Sequence, residues 1–169
     1  MKINKIFPPK IIRSLYFTLV YPHLIYCIEV WGGAAQTHLL PLYRLQKKIV
    51  RIMTSSGYRE HTADLFIQLE LLNVNQLYIY HVLFFMYKFI RNSLPPVFNN
   101  FFLFTPTPHY ALRQSPPLVV PFFRLTVSRR SLSYSGPSLL NKYYERLDFL
   151  SGPKMFKSNL KTLALQNIL

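Results

Sequence analysis

A few residue pairs have the types and spacing that a metal site or a reactive site needs. His23 and Cys27 are four residues apart, so on a helix they would share one face, and both side chains are zinc ligands. Two ligands without partners make an incomplete site, so we expect a buried cysteine beside a hydrogen-bonded histidine instead. We predict no metal site from this pair.

Two pairs of carboxylates have the spacing of a general acid and a general base. Glu60 and Asp64 are four residues apart, and Glu145 and Asp148 are three apart. Charges at helix starts and on solvated faces explain both pairs more simply than catalysis does, and His61 is interpreted as a helix-entry residue. The five glycines are too scattered to form a phosphate-binding loop. We therefore expect no catalytic residue, no cofactor and no small-molecule substrate.

The positive charge is organised differently. The 169 residues include 20 Lys and Arg but 6 Asp and Glu, which gives a formal net charge of +14 at pH 7. Most metal-dependent polymerases, nucleases and phosphatases hold their cations with clustered carboxylates, so this composition argues against such enzymes. An organised basic surface is typical of proteins that bind nucleic-acid phosphates. The alternatives are a solvated helix face and a basic face that lies on anionic lipid.

The helix predicted for residues 38–53 carries the most informative pattern. At about 100° per residue, its apolar side chains gather on one face: Leu42, Leu45, Ile49, Ile52 and Met53. Four cations fall within an arc of about 100° on the opposite face: Arg44, Lys47, Lys48 and Arg51. We predict that these four bind nucleic acid by contacting phosphates without reading sequence.

Other helices surround this one in the predicted order. A mostly apolar helix over residues 9–31 begins at proline, and Pro22 predicts a kink or a break in it. A short helix begins at Thr62, and Asn73 or Asn75 would cap a long apolar helix that ends near residue 91. A last helix begins at Pro153.

A proline-rich segment separates these helices from the end of the chain. Seven of the 13 prolines lie in residues 95–121, which indicates an extended connector. From Phe123 to Tyr134, apolar and polar residues alternate, which predicts a short β-hairpin that ends at Gly136-Pro137 before another helix. The prediction is a mainly α fold: a bundle of about four helices (1–93), a Pro-rich connector (94–121) and a small α+β tail (122–169).

Two mostly apolar helices make a small membrane-associated protein the alternative prediction. Residues 15–31 form one, while residues 77–90 are about 14 residues long, against the ~20 that a membrane span needs, so a membrane partner is not favoured. Trp31, His81 and the Phe84-Phe85 pair are interpreted as core residues. The single cysteine cannot form an intramolecular disulfide, so we expect an intracellular, reducing compartment.

Several short motifs occur in the order of a known family. They include Leu15-Tyr16, Val30-Trp31-Gly32, Leu42-Tyr43-Arg44-Leu45-Gln46-Lys47-Lys48, Phe85-Met86-Tyr87-Lys88, Leu94-Pro95-Pro96, Tyr134-Ser135-Gly136-Pro137 and Phe156-Lys157. This order resembles the region after the catalytic palm in reverse transcriptases of non-LTR retrotransposons, in particular of the jockey and CR1-like groups. One departure is Leu139-Leu140-Asn141, where the family usually has Leu-Trp-Asn.

The resemblance implies a helical thumb and a C-terminal linker that hold a template–primer duplex, with RNA or DNA as the partner. It implies the same phosphate-binding role for the four cations of the predicted helix. The family's catalytic aspartates belong to an Ala-Asp-Asp-type palm motif upstream of the matched region, and the sequence contains no Asp-Asp pair. We therefore expect a non-catalytic part of an RNA-directed DNA polymerase, without the palm domain of the parent enzyme.

Overall fold

The computed structural model describes residues 6–106 and 117–166, and these residues are mainly helical, which confirms the predicted class. The α-helices are α1 (Pro9–Leu15), α2 (Tyr21–Ile25), α3 (Ile28–Trp31), α4 (Gln36–Thr54), α5 (Ala63–Gln68), α6 (Val74–Ile90), α7 (Leu132–Tyr143) and α8 (Pro153–Leu165). Short 3-10 turns lie at Pro96–Phe98, Ser128–Arg130 and Tyr144–Arg146.

The apolar helix predicted for residues 9–31 is interrupted twice. A π-helical turn at Tyr16–Val20 leads into α2, which carries Pro22 in its first turn. Proline has no N–H to donate and its ring crowds the carbonyl four residues earlier. Here the carbonyl in question belongs to Thr18, which lies within the π-helical turn, where the regular α-helical hydrogen bonding is interrupted. The second break lies at Cys27, whose φ of 50° is in the left-handed region. The predicted break at Pro22 is confirmed.

α6 is the central helix and contributes to two hydrophobic cores. The N-terminal core consists of Tyr16, Leu24, Ile28, Val50, Leu65, Phe66, Leu71, Leu72, Val74, Leu77 and Ala164. The C-terminal core consists of Val82, Leu83, Met86, Tyr87, Phe89, Phe102, Leu118, Leu140, Tyr143, Leu147, Phe149, Phe156 and Leu160. A helix that is apolar on all sides is stable where other elements cover it all round. Here α2, α3, α4, α7 and α8 pack against it.

α6 begins at a capping box. The side chain of Asn73 accepts a hydrogen bond from the Gln76 N–H at 3.0 Å, and the Gln76 side chain accepts one from the Asn73 N–H at 2.9 Å. These bonds satisfy backbone donors that have no partner inside the helix. Of the two caps that the sequence left open, Asn73 is therefore the one used, and Asn75 is an exposed residue of the first turn.

The β-hairpin predicted between Phe123 and Gly136 is wrong. Residues 128–130 form a 3-10 turn, and α7 begins at Leu132 and continues through Gly136 and Pro137. Leu132, Gly136 and Leu140 are four residues apart, a spacing that places them on one face of a helix and also fits one face of a strand. Packing against α6 selects the helix. A Cβ on Gly136 would lie 2.8 Å from the Met86 sulfur, so the glycine permits a close approach of the two helices.

Asn141 of α7 bonds the Pro-rich connector, whose Phe102 and Leu118 also belong to the C-terminal core. Phe104 and Leu118 form an antiparallel bridge, which is the only β pairing in the described residues. The amide of Asn141 donates to the Leu118 carbonyl at 2.7 Å and accepts from the Leu118 N–H at 3.2 Å. The N–H and the carbonyl of buried Leu118 therefore both have partners, although no β-sheet supplies them. Residues 107–116 of the predicted connector lie outside the described residues.

In the described part of the chain, no helix combines the length and the apolar character that crossing a membrane requires. Residues 15–31 are divided among short helices. Residues 77–90 belong to α6, where Leu83 and Met86 are fully buried in the C-terminal core. The apolar surface of these segments is thus partly used in packing within the chain.

Candidate nucleic-acid interface

α4 positions the four predicted phosphate-binding cations, and its buried side differs from the predicted one. Leu39, Gln46 and Val50 are buried, whereas Leu45 is 58% exposed and Ile52 is 43% exposed. Gln46 is buried despite its polarity, because its amide pairs with backbone groups near the start of α6. The predicted apolar face is therefore wrong at Leu45 and Ile52, and the helix is rotated about its axis relative to the expected orientation.

The four cations lie together along one open groove with a volume of about 800 Å³. The groove is lined by Pro41, Arg44, Leu45, Lys47, Lys48, Arg51, Tyr58 and Arg59. Arg59 adds a fifth cation that the helical pattern did not include. Among the described residues that line the groove, none is acidic. The structure thus places all four predicted residues on one concave basic surface.

Contacts within the chain restrain two cations of the groove. The Lys47 ammonium lies 4.2 Å from the centroid of the Tyr43 ring, a cation–π contact. Arg51 donates two hydrogen bonds to the Glu60 carbonyl, from Nε at 3.0 Å and from Nη2 at 2.9 Å. A guanidinium has five N–H donors, so Arg51 keeps three for another acceptor. Arg44 and Lys48 are exposed.

The loop after α4 brings Tyr58 and Arg59 to the groove. Ser55 adopts a left-handed φ of 56°, and the Ser56 N–H bonds the Arg51 carbonyl at 3.0 Å, which closes the end of the helix. The Glu60 carboxylate accepts from the Gly57 N–H at 3.0 Å. Together with the two bonds from Arg51, these contacts fold the loop back onto α4. The helical wheel could not include the two residues, because they lie beyond the end of the helix.

The positive charge of the groove is not neutralised by ion pairs within the described residues. The ion pairs found there join Glu70 to Arg13 at 3.5 Å and to Lys161 at 3.7 Å, and Glu29 to His81 at 3.5 Å. None of them includes a cation of the groove. Concentrated charge of one sign on a concave surface attracts counter-ions from solution.

The predicted arrangement of His23 and Cys27 is wrong. Both side chains are exposed rather than buried. Because the chain turns at Cys27, with its positive φ, the two residues do not lie on one continuous helix. In the described residues, no three side chains of His, Cys, Asp or Glu are arranged to hold a metal ion.

The four carboxylates of the two predicted pairs are exposed, and Asp64 lies at a helix start, as the sequence predicted. Asp64 belongs to the first turn of α5, and Glu145 is the middle residue of the 3-10 turn Tyr144–Arg146. Asp148 accepts a hydrogen bond from the Leu150 N–H at 2.9 Å. His61 is exposed just before α5, as predicted. These residues act on the local backbone or face solvent.

The aromatic residues interpreted as core do pack internally. Trp31 packs against the N-terminal core, and Phe84 and Phe85 pack against the C-terminal core. His81 is partly buried, with its Nδ1 3.5 Å from an oxygen of Glu29. The contact with His81 is the main cause that lowers the pKa of the Glu29 carboxyl, against the opposing effect of its own burial.

Comparison with known proteins identifies no relative. The chain matches no protein-family model, no curated protein and no solved structure. The resemblance to non-LTR reverse transcriptases therefore stays a prediction from the sequence. Function is inferred from the basic groove.

Proposed function

We propose that this protein binds nucleic acid non-specifically, through phosphate contacts made by Arg44, Lys47, Lys48 and Arg51. The observation that carries the proposal is the groove, in which these cations and Arg59 share one open surface with no acidic lining residue. Each phosphate that a cation neutralises releases condensed counterions, and this release drives sequence-independent binding.

The dimensions of α4 suit a phosphate backbone. From Arg44 to Arg51 the helix rises about 10 Å at 1.5 Å per residue. One strand of a duplex presents a phosphate about every 3.4 Å along the axis, so about three phosphates per strand fit this length. Contacts of this kind would position a backbone and leave the sequence unread.

The resemblance to non-LTR reverse transcriptases supports a template–primer duplex of RNA or DNA as the ligand. We propose that the chain derives from the region after the palm of an RNA-directed DNA polymerase, and we assign it no bond-making step. The coding sequence upstream tests this origin. An in-frame palm motif with paired aspartates is expected there, and an upstream frame without one would contradict the origin.

A salt titration tests the phosphate contacts. For a blunt duplex, four contacts predict a slope of log K against log salt of roughly −3 to −4. Replacing Arg44, Lys47, Lys48 and Arg51 together with Ala should weaken binding and make the slope less steep by about 3 to 4, because each lost phosphate contact removes about 0.9 from it. The matched control replaces four exposed cations that do not line the groove with Ala: Lys10, Arg91, Arg124 and Lys154.

The control separates a local site from net charge, because both variants lose four positive charges. We expect the control variant to keep most of the affinity and slope of the unmodified protein. Unchanged binding by the groove variant, or an equal loss in both variants, would show that the groove is not the site.

A further inference from the structure

We propose that the groove takes nucleic acid with unpaired bases, and that one such base stacks on Tyr58; this inference rests on the proposed function. Tyr58 lines the same groove as Arg44, Lys48, Arg51 and Arg59. Its side chain is 86% exposed, so almost the whole ring is open to a ligand. The groove therefore combines cations with an open aromatic face, the two elements that single-strand binding proteins use.

The loop that carries Tyr58 is held on both sides of it. The Gly57 N–H donates to the Glu60 carboxylate at 3.0 Å, and the Glu60 N–H donates to the Gly57 carbonyl at 3.1 Å. Arg51 binds the Glu60 carbonyl with two hydrogen bonds. Because the backbone is already ordered, stacking a base on the ring costs little further loop entropy. An aromatic ring on a held loop is a preorganised platform.

Within a duplex, no base can stack on the Tyr58 ring. The faces of paired bases are covered by their neighbours, so the ring can stack on a base that is unpaired. Pro41 and Leu45 add apolar surface to the groove beside the cations, and such surface suits the faces of sugars and bases. The arrangement is therefore suited to a strand whose phosphates lie along α4 while one base turns onto Tyr58.

The test compares three ligands of the same sequence: a blunt duplex, that duplex with a single-stranded overhang of about six nucleotides, and the single strand alone. Fluorescence anisotropy at constant salt measures Kd for the unmodified protein, Tyr58→Ala and Tyr58→Phe. Tyr26→Ala is the matched control, since Tyr26 is 76% exposed and does not line the groove.

We expect the unmodified protein to bind the overhang duplex and the single strand more tightly than the blunt duplex. Tyr58→Ala should bind the two ligands with unpaired bases about tenfold more weakly than the unmodified protein does. Its affinity for the blunt duplex should be unchanged. Tyr58→Phe keeps the ring and should bind like the unmodified protein, as should Tyr26→Ala.

The two proposals fail in different ways. If Tyr58→Ala binds the overhang duplex as the unmodified protein does, or loses as much on the blunt duplex, stacking on Tyr58 is overturned. The proposed function survives that result as long as the variant lacking Arg44, Lys47, Lys48 and Arg51 still loses affinity for the blunt duplex. If that variant binds all three ligands normally, the proposed function fails as well.

Discussion

The side-chain amide of Gln46 donates a hydrogen bond to the hydroxyl of Tyr16 across 3.1 Å, and both side chains are buried. The same nitrogen donates to the Leu72 carbonyl at 2.9 Å, and the amide oxygen accepts from the Val74 N–H at 3.0 Å. Gln46 thus ties α4 to the π-helical turn and to the start of α6. Because it lies on the side of α4 away from Arg51, these bonds help to set which side of the helix faces solvent.

Gln46→Leu should lower the free energy of unfolding by about 3 kcal/mol, because it leaves the Leu72 carbonyl and the Val74 N–H buried without partners. Urea unfolding followed by circular dichroism measures the change. Gln36→Leu is the control, at an exposed position in the first turn of the same helix, and should change stability by less than about 0.5 kcal/mol. Equal effects from the two variants would show that the buried network does not stabilise the fold.

Asn73→Ala should destabilise the protein by about 1 kcal/mol, because it removes the side-chain oxygen that caps α6. Asn75→Ala is a matched control two residues away, in the exposed first turn of the same helix. We expect that control to leave the free energy of unfolding almost unchanged. Thermal or urea unfolding of both variants checks the difference, and a larger loss at Asn75 would contradict the assigned cap.

The pairing of Glu29 with His81 should make stability depend on pH. The contact lowers the pKa of the Glu29 carboxyl below its ordinary 4.5. A lowered carboxyl pKa stabilises the folded state above the unfolded-state pKa, and this contribution is lost as the pH falls from about 4.5 through the folded-state value. Glu29→Gln should therefore be less stable near neutral pH and lose less stability on acidification than the unmodified protein.

Urea midpoints between about pH 7 and pH 3 measure that dependence. Glu145→Gln controls for the loss of one negative charge, because Glu145 is exposed and lies in none of the ion pairs of the described residues. If the midpoint of Glu29→Gln falls with pH as steeply as that of the control, the contact with His81 does not stabilise the ionised carboxyl.

Local features of the sequence determined most of the helices. The periodicity of residues 38–53 predicted α4, observed as Gln36–Thr54, and Pro153 marked the start of α8. Prolines, caps and helical periodicity act within a few residues, so they can be interpreted without the rest of the fold. The common face of Arg44, Lys47, Lys48 and Arg51 is likewise a property of one helix, since α-helical geometry alone sets the angles between them.

The tertiary structure decided what that helix faces and which residues join its cations. Leu45 is exposed and Gln46 is buried, because the Gln46 amide pairs with the backbone of Leu72 and Val74. These partners lie far along the chain from α4, so the helix pattern alone cannot predict the pairing. Tyr58 and Arg59 reach the groove through a loop that Arg51 and Glu60 hold in place. The alternation of apolar and polar residues from Phe123 to Tyr134 is compatible with a strand, a loop or a helix. Packing against α6 selects the helix from Leu132 onward. Such long-range contacts have no local signal in the sequence, so orientation and grouping depend on the whole fold.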